Sequence, residues 1–267
     1  MAEDAVLLNV EDGVATITLN RPEIRNALTR EVSAGIIDAI DAIKEIEESG
    51  ARCVVLRGAG GAFCAGGDVN AMTDRLEGEV SLAEAERLIV RTTSRAIERV
   101  ANCSLPTVAK VDGPAFGAGA NLAIACDLTV ASASSRIGFG FRQVGLAVDS
   151  GTSYLLPRRV GLNTAKELVF TGELLDAERA TDLGVFNHAY PDGAFDERAD
   201  VLVERIAAGP TVALRASKRL LDQGPESSLD EAISNEAAAQ IAVFETHDHR
   251  EGVSAFGEKR DPEFEGR

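Results

Sequence analysis

The chain has 267 residues, 45% of them hydrophobic, and a formal net charge of −16. That length is enough to bury a large core, and no apolar run approaches the roughly 20 residues needed to cross a bilayer. So much negative charge repels phosphate backbones, so neither a nucleic-acid partner nor a membrane partner is expected.

Only five of the 27 basic residues are lysines: Lys44, Lys110, Lys166, Lys218 and Lys259. Scarce lysine on an acidic surface suits a protein adapted to high salt, where screening removes self-repulsion; the plainer alternative is a solvated acidic surface. Residues 1–5 lack the basic start of a secretory leader, so a cytoplasmic protein is expected. Cys53, Cys64, Cys103 and Cys126 form no Cys-x-x-Cys pair, and none has a His at metal-ligand spacing. They read as structural thiols, with no metal site.

Along the chain, residues 6–10 and 14–19 are apolar segments flanking Glu11-Asp12-Gly13, a β-hairpin pattern. Pro22 stops the strand, and a loop continues to Leu28. Thr29 is placed to cap a helix in which Val32, Ile36, Ile37, Ile40, Ile43 and Ile46 recur at three- and four-residue spacing, until Gly50 ends it. Residues 53–57 are a buried strand and 58–68 a glycine-rich loop. Residues 82–101 form a second amphipathic helix, and 106–111 another strand. A second glycine-rich stretch, 113–119, runs into a helix carrying Leu122, Ala123, Ala125 and Cys126, and 128–131 is a strand again.

The recurrence of strand, glycine loop and helix predicts repeated turns of one α/β architecture over residues 1–195. Residues 196–267 read as nearly all helix, with apolar faces that need cover from the core or from a neighbouring subunit.

Four segments carry a family pattern in order. They are Asn20-Arg-Pro-x-x-x-Asn-Ala-Leu28, Gly61-Ala-Phe-Cys-Ala-Gly-Gly-Asp68, the stretch from Val111 through Gly117-Ala-Gly-Ala-Asn121 to Asp127, and Arg250-Glu-Gly-Val-Ser-Ala-Phe-Gly-Glu-Lys-Arg260. Together they resemble the crotonase (enoyl-CoA hydratase/isomerase) superfamily over essentially the whole length. The resemblance implies a spiral of β-β-α turns with a C-terminal helical trimerisation region, a homotrimer or a dimer of trimers, and an acyl-coenzyme A thioester as substrate. Coenzyme A is then part of the substrate, and no separate cofactor is expected.

Chemistry of this kind puts negative charge on a thioester oxygen. Two backbone N–H groups aimed at that oxygen stabilise it, and small side chains let them approach. By resemblance the donors are the N–H groups of Gly67 and Ala118. Glycine is usual at the second position, and alanine keeps the N–H. Read alone, either glycine loop is an ordinary strand-to-helix turn. A dinucleotide-binding reading fails because neither loop completes Gly-x-Gly-x-x-Gly before a helix.

A hydratase of this family is expected to hold water between two glutamates, and the matching positions here are Asn121 and Phe141. An amide is no base at neutral pH, and a phenyl ring holds no water. Asp149 instead resembles the catalytic aspartate of the enoyl-CoA isomerase and ring-epoxide isomerase branch, and also that of the dehalogenase branch. Phe139, Phe141, Leu146, Val148 and Tyr154 form its apolar surroundings and the expected acyl pocket, which would raise its pKa. The competing role for Asp149 is to cap a helix starting near Ser150.

Carried over by resemblance, Arg25 meets a coenzyme A phosphate, with Ala27 and Leu28 near the adenine. Ala65, Gly67, Asp68 and Val69 flank the adenine and pantetheine, and Lys259 reaches the phosphate across a subunit boundary. There is no Gly-x-Ser-x-Gly elbow. His188 sits beside a strand end, and His247 and His249 read as an exposed turn, so a Ser–His hydrolase is disfavoured. Three functions remain: isomerisation with Asp149 as base, hydration with unusual water placement by Asp149 and Asn121, and a non-catalytic CoA- or RNA-binding relative, the RNA form disfavoured by low pI.

Overall fold

The computed structural model describes residues 4–45, 50–78 and 81–267. Ile46, expected on the apolar face of the first helix, and residues 1–3 lie outside the described residues.

Strands β1 (Val6–Glu11) and β2 (Val14–Leu19) pair antiparallel in the expected hairpin. On β2 the residues Ala15, Ile17 and Leu19 are fully buried, as alternation requires of a strand with one face on the core. Helix α1 (Arg30–Glu45) follows, with Val32 N donating to Thr29 Oγ1 at 3.3 Å. Strand β3 (Cys53–Gly58) leads through the first glycine loop into α2 (Val69–Leu76), a short helix the sequence pattern did not reveal. The expected helix over 82–101 exists as α3 (Leu82–Leu88) and α4 (Ser94–Ala101), joined by a π-helical turn at Ile89–Thr93.

Strand β4 (Thr107–Val111) passes through the short β5 (Pro114–Phe116) into α5 (Ala118–Ala125). Then come β6 (Leu128–Ser132), β7 (Arg136–Gly138), α6 (Thr152–Val160), α7 (Leu162–Thr171), β8 (Leu174–Asp176), α8 (Ala177–Asp182) and β9 (His188–Tyr190). Among the described residues, six strands form one sheet in the order β1-β2-β3-β4-β6-β9, parallel from β2 onward. A second sheet has the order β5-β7-β8, with β5 parallel and β8 antiparallel to β7. Parallel sheets need cover on both faces, and the burial of all five β4 residues reflects that. The α/β spiral expected from the repeated pattern is therefore the observed architecture.

One face carries the main core, with Ile17, Leu56, Phe63, Leu122, Ile124 and Phe139 among its buried side chains. The other face is covered by α9 (Phe195–Ala207), which buries Phe195, Ala199, Val203 and Ala207 against Cys53, Val55, Val108 and Val130. Lys110, 5% exposed, pins that helix by ion pairs to Asp200 at 2.7 Å and Asp196 at 3.0 Å. Helix α9 thus crosses the expected division at residue 195 and packs on the sheet. Helices α10 (Thr211–Gln223), α11 (Leu229–Phe244) and α12 (His247–Glu258) follow.

Candidate active site

The two glycine loops are held edge to edge. Asn26 is fully buried, and its Nδ2 donates to Ala59 O at 2.9 Å and Ala62 O at 2.8 Å. Its Oδ1 accepts from Arg21 N at 2.9 Å. These bonds lay the 20–28 segment along the first loop, where Ala65 N donates to Arg25 O and Leu28 N to Gly66 O. Across the loop, Phe116 N donates to Cys64 O at 3.0 Å.

Gly66 has φ 101°, and a Cβ there would lie 2.7 Å from Phe116 O and 3.8 Å from Ala118 N. A Cβ on Gly119 would sit 2.3 Å from Cys64 O and 2.8 Å from Cys64 Sγ. Small residues at these points are what lets helix α5 begin against the first loop. Gly67 and Ala118 are thereby neighbours across the seam. Among the described residues, no acceptor takes the N–H of either one. Ala118 opens α5, so its N–H is one of those a helix leaves unpaired, at the positive end of the helix dipole. Arg159 caps the opposite end of α5, donating to Ile124 O, Cys126 O and Asp127 O. A guanidinium there satisfies orphan carbonyls and complements the negative end of the dipole.

Asp149 lies one turn along α5 from Ala118, because Asn121 Nδ2 donates to Asp149 O at 3.1 Å. The Asp149 Oδ1 atom is buried and has no hydrogen-bond partner. Burial raises its carboxyl pKa above the ordinary 3.8, against the lowering effect of a hydrogen bond from Ser150. Asp149 does not cap a helix with its side chain. Helix α6 starts at Thr152 with Gly151 at the cap position and no side-chain cap bond, and Asp149 contributes only its carbonyl, to Thr152 N at 2.9 Å. The Asn121 amide is fully buried, with both ends taken by groups of the Asp149–Thr152 turn.

Of the expected apolar pocket, Val148 is half-buried against the core next to Asp149, and Leu146 is 40% exposed. Phe141 is nearly buried in the 140–144 turn, while Phe139 is wholly inside the core. Tyr154 is engaged elsewhere: its ring lies under Arg158, and its hydroxyl donates to Glu226 Oε1 at 3.3 Å.

Of the coenzyme A set, Arg25, Ala27, Leu28, Ala65 and Gly67 form one strip, with Arg25 exposed and Asp68 half-buried beside it. Val69 opens α2. Lys259 is exposed in the left-handed cap of α12. His247 and His249 belong to the first turn of α12, whose N-cap is Thr246, and are part-buried rather than an exposed turn. His188 is the first residue of β9. All four cysteines are buried, and burial pushes the thiols of Cys53, Cys64 and Cys126 up to about 12, which makes them inert.

Asn26 and Thr152 are the residues that sequence reasoning passed over. Asn26 stood inside a recognised motif without a role, and Thr152 follows Asp149 by three residues.

Comparison with known proteins fits this arrangement. The sequence model of the family described as enoyl-CoA hydratase/isomerase matches residues 9–267. The chain belongs to the enoyl-CoA hydratase/isomerase family, of the crotonase superfamily. A Thermus thermophilus protein provisionally named an enoyl-CoA hydratase is 39% identical over 97% of this chain and 100% of its own. The 1,2-epoxyphenylacetyl-CoA isomerase of Escherichia coli is 34% identical over 98% of each chain. The crystal structure of an enoyl-CoA hydratase/isomerase from Cupriavidus metallidurans superposes with a TM-score of 0.90 at 32% identity, covering 100% of this chain and 98% of that one. The family's relatives thus carry both hydratase and isomerase names.

Proposed function

We propose that the chain is an enoyl-CoA or epoxyacyl-CoA isomerase in which Asp149 is the single base. The observation that carries this reading is the buried, unpartnered Oδ1 of Asp149, a residue whose carbonyl is bonded to Asn121, one turn of α5 from the free N–H of Ala118. A desolvated carboxylate is a stronger base than an exposed one, and its raised pKa brings it nearer working pH. On a 3-enoyl thioester, Asp149 takes a proton from the α-carbon. The electron pair of that C–H bond moves onto the thioester oxygen, where the N–H groups of Gly67 and Ala118 hold the charge. The electrons return through the conjugated system as Asp149 gives the same proton to the γ-carbon. One movable base suffices, and no water enters the product.

The positions where the family resemblance predicts a hydratase's glutamate pair support the same reading. Asn121 is occupied in hydrogen bonds to the turn, and the Phe141 ring is 7% exposed. Arg25 stands exposed at the end of the strip that would receive the nucleotide end of coenzyme A. Assembly into a trimer or dimer of trimers is part of the proposal. It is supported by Leu221, Leu229, Ile241, Phe244, Val253 and Phe256, all at least 50% exposed on the C-terminal helices. The hydratase names of relatives favour a second reading, hydration of an enoyl-CoA.

The test is to mix the enzyme with a 3-enoyl-CoA and separately with crotonyl-CoA, following the conjugated-thioester absorbance. Isomerisation raises it with the first substrate. Faster loss of absorbance with crotonyl-CoA would overturn the isomerase reading in favour of hydration.

A further inference from the structure

Asn121 and Thr152 do not face an open site; they hold the main chain of the proposed base. Asn121 is fully buried and Thr152 is 1% exposed. The Asp149 carbonyl accepts from Asn121 Nδ2 at 3.1 Å, Thr152 Oγ1 at 2.8 Å and Thr152 N at 2.9 Å. Thr152 Oγ1 also lies 2.8 Å from Asn121 Oδ1, and its single proton is shared between that oxygen and the Asp149 carbonyl, so the three groups hold one another. Between base and lock, Ser150 and Gly151 have φ 48° and 86°, two successive left-handed residues. For serine that conformation is sparsely populated and persists only where its surroundings over-determine it. The carboxyl itself is left out of the network, with Oδ1 free.

We infer that Asn121 and Thr152 are positioning residues that clamp the Asp149 carbonyl and so aim its carboxylate into the enolate site. This rests on the reading of Asp149 as the base. The clamp joins α5, which presents the Ala118 N–H, to the start of α6 through buried neutral hydrogen bonds. It therefore sets the distance between the base and the group that stabilises the enolate. Such bonds fix geometry without adding charge beside the carboxylate, whose pKa burial raises against the lowering effect of the Ser150 hydroxyl.

The experiment compares Asp149→Asn, Thr152→Val, Thr152→Ser and Asn121→Ala on a 3-enoyl-CoA, with rate, KM, acyl-CoA affinity and pH profile measured for each. Thr152→Val keeps the shape but leaves the buried Asn121 Oδ1 without its donor, which costs stability, so thermal melting is recorded for every variant and rates are compared below the lowest melting temperature. Thr152→Val should lower kcat about 10- to 100-fold with KM changed less than about threefold, since small misplacements of a reacting group cost rates of that size. Its acid limb should move to lower pH as a loosened carboxyl gains solvent. Thr152→Ser, which restores the hydroxyl, should recover most of the rate. If Asp149→Asn is inactive while Thr152→Val keeps the parental kcat and acid limb, the clamp is refuted and the base stands. If Asp149→Asn is active, the base assignment falls, and the clamp with it.

Discussion

Gly119→Ala is the sharpest perturbation the structure offers. Alanine is favoured over glycine by up to about 1 kcal/mol in a helix interior, and Gly119 lies in the first turn of α5, so propensity alone predicts a protein at least as stable. Here the new Cβ would lie 2.3 Å from Cys64 O and 2.8 Å from Cys64 Cβ and Sγ, where ordinary contact begins at 3.4 Å. The first contact is backbone, so no rotamer relieves it, and α5 and the first loop must part by about 3.4 − 2.3 = 1.1 Å. Overpacking on that scale costs about 1–3 kcal/mol, which outweighs the propensity gain. The same movement separates the Gly67 and Ala118 N–H groups. Losing one such donor typically costs about 10²–10³ in rate, and we expect a fall of that order in kcat. The assay is exchange of the α-protons of an acyl-CoA in D2O, followed by mass spectrometry, alongside turnover and thermal melting. A variant that melts at or above the parent temperature and exchanges at the parent rate would refute the packing argument and the paired-donor site together.

Asp149→Asn should lower turnover about 10²–10⁴-fold with acyl-CoA affinity nearly intact, measured by initial rates and by titration. Because burial holds the Asp149 pKa above 3.8, the acid limb of the rate profile should lie above the ordinary aspartate range. The raised folded-state pKa also means that the stability Asp149 contributes is present below the unfolded pKa and lost as pH rises through the folded one. The asparagine variant should therefore melt higher than the parent at neutral pH, and a lower melting temperature would contradict this. Asn26→Ala should destabilise by about 1–3 kcal/mol in denaturant titration, since it strips Ala59 O and Ala62 O of their donor. With a net charge of −16, the melting temperature should rise from about 0.01 M to multimolar salt, as the Debye length falls from about 30 Å to about 3 Å or less. Equal melting temperatures would remove the high-salt reading.

What the sequence could reveal depended on whether a feature is local. The hairpin over β1 and β2, the cap at Thr29 and the two glycine loops are written in neighbouring residues, and the structure has them. Helix α2 was not legible, because Val69–Leu76 spans only eight residues, too few for the spacing of Val69, Met72 and Leu76 to stand out from a loop. The helix over 82–101 showed its periodicity, but the π turn at 89–93 shifts register by one residue without changing composition. At the site, Asp149 was identifiable as a candidate acid or base, yet the choice between capping and a free carboxyl depends on where α6 starts. The roles of Asn26, Asn121 and Thr152 are partnerships across 28 to 36 residues, apart from the Thr152 bonds to Asp149 and the Asn26 bond to Arg21, and no single-sequence pattern records those. Tyr154 shows the converse limit: an aromatic near the base in sequence packs against Arg158 and bonds Glu226.

The central claim is that one carboxylate carries a proton from the α- to the γ-carbon of a bound thioester. Single-turnover reaction of an α-deuterated 3-enoyl-CoA in ordinary water tests it most directly, with the product's isotope positions read by NMR. A shuttling carboxylate yields a conjugated product that retains part of the deuterium at the γ-carbon, with no oxygen gained. A product that carries a new hydroxyl at the β-carbon would contradict it.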